Sequence, residues 1–177
     1  RQGIYNVGFY LASCPPRGRE NSLSGLTAML EVLCGVREGD PLERVLGVEP
    51  RLRALGLPDE ERNAVLGQLG VKRIGQTGPN LPPLLAAFAR MVQRLCEDRL
   101  HAFVLDNAHA LDEDTLNVLQ GSTLRLAATR AVFIMAARTP VQHKLFQHTS
   151  HEKIVLDELD DSEMARLVAV RSGLKTP

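Results

Sequence analysis

Residues 101–116 read HAFVLDNAHALDEDTL, and the fold turns on how they are divided. HAFVLD is a continuous apolar run of strand length closed by Asp106, the pattern of a strand buried in a parallel sheet. A short polar turn follows. Asp112 or Asp114 then begins a helix that carries Leu116, Leu119 and Leu124 inward. Downstream, AVFIMAAR reads as a second buried strand ending at Arg138, and EKIVL as a short third one. DDSEMARLVAVRSG closes the chain with a capping box, Asp160 with Glu163, and an apolar face of Met164, Leu167 and Val168.

Upstream, Tyr5 to Ala12 reads as a strand, which SCPPRGREN breaks. A helix is expected from Ser22, with Leu23, Leu26, Met29, Leu30 and Leu33 on one face and Gly35 as its stop. NLPPLLAAFARMVQRLCEDR is the clearest helix, with Asn80 placed to cap it. Leu81, Leu84, Leu85, Phe88, Met91, Val92, Leu95 and Cys96 keep its core stripe. Between these helices, residues 35–80 are dense in Gly, Pro and charge and predict an insert of two or three short helices. Alternating strand and helix predicts one α/β domain over residues 1–177, a three-layer α/β/α sandwich with a parallel sheet.

The composition is that of an ordinary soluble chain: 177 residues, 44% hydrophobic and 24% charged. Lys+Arg and Asp+Glu each count 21. That balance argues against a nucleic-acid partner or a polybasic membrane anchor. No apolar run approaches the roughly 18 residues that span a bilayer, and no signal peptide is visible, so a cytoplasmic location is expected. The opening strand is entered without preamble and the last helix is followed at once by the end. Both read as cuts through a larger protein. Cys14, Cys34 and Cys96 are far apart and odd in number, which reads as reduced, near-core thiols.

Ligands of open α/β sheets bind at the carboxyl ends of the strands. Two polar residues stand there, Asp106 and Arg138. An acid at such a point can hold Mg²⁺ directly or through water, and a base can contact a terminal phosphate. Each alone has a plain structural reading, a turn former and a solvated arginine. Their joint placement, with a helix between, points to a nucleotide triphosphate. The chain has no Gly-x-x-x-x-Gly-Lys-Ser/Thr loop to cradle the phosphates; GQTGPN and SGLKTP do not substitute for one.

FVLDNAHALDEDTLNVL resembles the Walker B strand and following helix of STAND and AAA+ P-loop ATPases. VFIMAAR is similar to the next strand of that family, whose end carries a sensor residue, and KIVLDELDDSEMARLVAVRSG to the segment after it. NSLSGLTAMLEVLCGVREGD is similar to a helix that follows the second strand in regulator-type members. The resemblance implies ATP and Mg²⁺ as cofactors, with Asp106 as the Mg²⁺-associated aspartate, Arg138 as the sensor, and Asn107 and His109 beside the nucleotide. His109 would link the site to the neighbouring loop. It also implies a regulatory switch in a larger signalling protein, with protein partners or self-association. Two departures stand out. Asn107 occupies the position of the family's second acid, and an amide cannot take a proton from water; slow hydrolysis is expected. The phosphate-binding loop is expected before Arg1, so residues 1–177 alone are expected to bind ATP poorly. The alternative is a degenerate ATPase fold kept as a protein-interaction scaffold.

Other constellations rank lower. DNAH echoes a helicase DExH box without its glutamate. Hydrolase residue types are present without a Gly-x-Ser-x-Gly elbow. HKLFQHTSH holds His143, His148 and His151 at spacings that do not suit a metal.

Overall fold

Three parallel strands in sequence order form the sheet: β1 (Gly8–Ser13), β2 (His101–Asp106) and β3 (Ala131–Met135). They are seen in a computed structural model that describes residues 6–16, 21–36, 40, 46–71 and 80–172. Gly8 pairs with His101 and Ser13 with Asp106, while His101 pairs with Ala131 and Leu105 with Met135. β2 is therefore central. Between the strands lie α1 (Ser24–Cys34), α2 (Val48–Ala54), α3 (Asp59–Gln68), α4 (Leu81–Leu95) and α5 (Glu113–Leu126). After β3 come α6 (Leu145–His148) and α7 (Asp161–Ser172).

The core forms where helix stripes meet one face of the sheet. Tyr10, Phe103 and Phe133 stack side by side across the three strands, with ring centroids 5.4 and 5.2 Å apart. Phe88 of α4 tilts onto Phe133 at 6.3 Å. Phe88 and Phe103 are fully buried, and each such side chain stabilises the fold by about 2–3 kcal/mol. The expected α1 stripe is buried at Leu23, Leu26, Met29, Leu30 and Leu33. Gly35 ends that helix in the left-handed region (φ 69°), where its N–H and that of Val36 close the last turn. α1 begins two residues later than the sequence suggests, because Leu23 itself has φ 62°. Asn80 precedes α4 without a side-chain capping bond.

The insert joins the same core. Val48, Leu52, Leu57, Val65 and Leu66 are buried with the α1 and α4 stripes. Arg51 donates to the Cys34 carbonyl at 3.0 Å, and Arg90 of α4 holds Glu61 of α3 through two bonds of 2.8 and 3.0 Å. Two helices of the insert are described; residues 37–39, 41–45 and 72–79 lie outside the described residues. All three cysteines are buried free thiols.

The architecture is a mixed α/β fold with an open parallel sheet. The second helical layer of a three-layer sandwich is not seen among the described residues. The opposite sheet face exposes Phe9 (64%), Leu11 (54%), Val132 (45%) and Ile134 (45%), so β3 alternates instead of being buried throughout. It ends at Met135, short of Arg138. EKIVL is not a strand: residues 152–156 pair with no strand among the described residues, and Ile154, Val155 and Leu156 are 70–87% exposed. A three-residue apolar run becomes a strand only by joining an edge, and it joins neither edge here. α7 forms with its capping box intact, Glu163 N–H donating to Asp160 at 2.7 Å and Asp160 N–H to Glu163 at 3.0 Å. Its apolar face of Met164, Leu167 and Val168 is about half exposed. Local capping is enough to set a helix, whereas burial needs a surface to pack on. Leu116 and Leu119 of α5 are buried as expected; the side chain of Leu124 lies outside the described residues.

Candidate functional site at the strand carboxyl ends

Beyond the last strand residues the backbone ladder continues for a few links. Cys14 N–H donates to Asp106 O at 2.9 Å, Ala136 N–H to Leu105 O at 2.9 Å, and Ala108 N–H to Ala136 O at 2.8 Å. These links fix residues 106–109 against 136–138, at the end of the sheet where ligands bind in open α/β folds.

Asp106 closes β2 with an exposed side chain. Its Oδ1 accepts the Asn107 N–H at 2.8 Å. Asn107 takes a left-handed conformation, φ 55° and ψ 35°, which asparagine tolerates better than most residues. The turn lets the chain leave the sheet and enter the 3-10 turn Ala108–Ala110. The Asn107 amide donates to Ser13 Oγ at 3.3 Å, joining the ends of β1 and β2.

His109 faces Arg138. The Arg138 backbone N–H donates toward Nδ1 at 3.4 Å, and one guanidinium nitrogen lies 3.1 Å from Nε2. The imidazole thus replaces the carbonyl that a longer strand would offer. Arg138 is exposed, and no ion pair joins it to Asp106 or to another carboxylate among the described residues. Asp106, Asn107, His109 and Arg138 thus share one end of the sheet, linked in two pairs rather than one network. Ser13 belongs with them. Its only signal in the sequence is its place directly after an apolar strand.

A second aspartate shapes the site from behind. Asp112 is buried and caps two helices at once. It accepts from Thr115 N–H (2.8 Å) and Thr115 Oγ1 (2.7 Å) on α5, and from Leu23 N–H (2.9 Å), Ser24 Oγ (3.3 Å) and Gly25 N–H (3.3 Å) at the start of α1. Thr115 Oγ1 in turn accepts the Leu26 N–H at 3.0 Å. Burial by itself would raise the Asp112 pKa, but the bonds from Thr115, Leu23 and Gly25 outweigh it and hold the carboxyl below its ordinary value. The sequence marks Asp112 as a helix start and gives no sign of its grip on α1. The Cys14 thiol is pushed up to about 11 by burial, with Asp106 and Asp112 adding to the effect. It stays protonated and unreactive at neutral pH.

Among the described residues no group of three or more His, Cys, Asp or Glu side chains could hold a metal. One exposed carboxylate fits Mg²⁺ only in the mode where phosphate oxygens and water fill most of the coordination shell. Asp106 would be that ligand. His143 accepts the Leu145 N–H on Nδ1 at 3.0 Å, and His151 contacts Thr149 O and the Phe146 ring. These histidines hold their own loop; the side chain of His148 lies outside the described residues. An open depression of about 510 Å³ lies on α2, lined by Leu46, Glu49, Pro50, Arg53 and Ala54, none of them at the strand ends. Among the described residues no helix is long and apolar enough to cross a membrane.

Comparison with known proteins finds no matching family model, no significantly similar curated protein and no matching solved structure.

Proposed function

We propose that this domain is part of an ATP-binding and ATP-hydrolysing regulatory switch in a larger signalling protein, and that it contributes the Mg²⁺ and sensor side of the nucleotide site. The observation that carries the reading is the convergence of Asp106 and Arg138 at the carboxyl end of one parallel sheet, each with its side chain exposed. In this reading Asp106 holds Mg²⁺ directly or through water, and Arg138 contacts the terminal phosphate. Asn107 leaves no carboxylate to accept a proton from the attacking water, so the bound nucleotide is hydrolysed slowly and acts mainly as a switch. The phosphate cradle has to come from outside the quoted motifs, since residues 1–177 contain no Gly-x-x-x-x-Gly-Lys-Ser/Thr. ATP, ADP and protein partners or self-association follow from the same reading.

The test is nucleotide binding by the full-length gene product, by calorimetry with Mg²⁺ and with EDTA. Asp106→Ala is expected to remove the Mg²⁺ dependence and to weaken MgATP binding about tenfold or more, as loss of a charged ligand does. Equal Mg²⁺ dependence in both proteins would sink the role of Asp106. A second reading, a non-catalytic scaffold that binds proteins, is favoured by the uncovered apolar face at Phe9, Leu11, Val132 and Ile134. A full-length protein that binds no nucleotide would decide for it.

A further inference from the structure

The contact between His109 and Arg138 has an internal conflict. Both ring nitrogens face donors of the same residue: Nδ1 the backbone N–H at 3.4 Å, Nε2 the guanidinium at 3.1 Å. A neutral imidazole has one lone pair and one N–H. It accepts from one of these donors and turns its own N–H toward the other. Either tautomer therefore turns the ring N–H toward one donor of Arg138, and the departure of the guanidinium would remove the conflict.

We propose that His109 is a positioning residue, a tautomeric latch that holds Arg138 in the ligand-free protein and releases its side chain to a phosphoryl anion. The inference rests on the nucleotide reading of the site and adds how the sensor is kept and handed over. Without ligand, the shorter, charge-assisted contact decides: Nε2 accepts from the guanidinium and Nδ1 carries the proton. When a terminal phosphate draws the guanidinium away, the ring loses its proton from Nδ1 to water and gains one at Nε2. Nδ1 then accepts the Arg138 backbone N–H, so the loop 136–138 stays tied to 106–109 while the side chain is engaged elsewhere. A neutral ring suits this task. It leaves the arginine charge uncompensated, and it holds the guanidinium less strongly than a carboxylate would.

The experiment is ¹⁵N spectroscopy of histidine side chains in the full-length protein, with His109 assigned through His109→Gln. The expected ligand-free form is Nδ1–H. Arg138→Ala, or Arg138→Met should the alanine variant fold poorly, is expected to convert the ligand-free ring to Nε2–H. Addition of MgATP to the unaltered protein is expected to do the same. A ligand-free ring that is already Nε2–H, or that does not respond to Arg138→Ala and Arg138→Met, overturns the latch. A ring unchanged by MgATP in a protein that binds it overturns the hand-over. Absence of MgATP binding overturns the nucleotide reading and the hand-over together, while the ligand-free comparison still decides the latch.

Discussion

Asp106 and Asp112 lie on one short segment and have opposite surroundings. Asp112 is 4% exposed and accepts five hydrogen bonds from two helices. Asp106 is exposed and accepts from its own neighbour. A carboxylate with every lone pair engaged has no capacity left for a ligand, and its contribution is to the fold. One that meets solvent at a strand end contributes little to the fold and has lone pairs left over. The same contrast separates the regions around them. The α1–α5 clamp is buried and tightly spaced, whereas the strand ends hold Ser13, Asn107, His109 and Arg138 through a few long or exposed contacts.

The largest effect is expected from breaking the clamp. Asp112→Ala strips two helix starts of their shared acceptor and should lower stability by about 3 kcal/mol in urea denaturation; a loss below about 1 kcal/mol would show that α1 and α5 hold without it. The pH dependence has a definite sign. The folded carboxyl binds its proton more weakly than the unfolded one, whose value is near 3.8. Its contribution is complete above that value and is lost as pH falls through the lower, folded pKa. Asp112→Ala should therefore be less sensitive to acid in this range than the unaltered protein, as denaturation at pH 2.5–5 would show.

A smaller effect tests the spacing. A Cβ on Gly25 would collide with Leu111 Cδ2 and lie 3.1 Å from Thr115 Cγ2. Gly25→Ala is expected to cost about 1–2 kcal/mol, since overpacking exceeds the helix propensity gained. A more stable variant in thermal unfolding would mean that the contact relaxes freely. The smallest effect belongs to the strand ends. Asn107→Ala should cost about 1 kcal/mol for the left-handed backbone, and Asn107→Gly close to nothing. Equal losses in the two would assign the effect to the lost bond with Ser13 instead.

The elements that were legible in the sequence are those set by local pattern. The α1 and α4 stripes, the Gly35 stop, the Asp160–Glu163 box and the existence of β1, β2 and β3 all follow from periodicity and capping. What was not legible depends on distant partners. Nothing local distinguishes Ile154–Leu156 from a paired strand, and nothing in Met164, Leu167 and Val168 says whether a surface awaits them. At the carboxyl end of the sheet, Asp106 was legible as the last residue of an apolar strand, whereas Arg138, read as the end of the next strand, lies in the loop beyond Met135. The double duty of Asp112 was hidden because its second set of donors, Leu23 to Gly25, lies far off in the chain. The pairing of His109 with Arg138 depends on how two loops meet beyond the sheet, which no periodicity records.

The register of β1 on β2 has an entropic side. Gly8 meets His101, so the whole run of α1, the insert and α4 is one long connection between two neighbouring strands. The free energy needed to close such a loop grows with the logarithm of its length, by about 0.6 kcal/mol for each doubling. Lengthening the insert is thus thermodynamically cheap, and it leaves untouched the β2–β3 register and the links of Leu105 and Ala108 to Ala136 that set Asp106 against Arg138. Variation in chain length is best tolerated where it is farthest, in topology, from those two side chains.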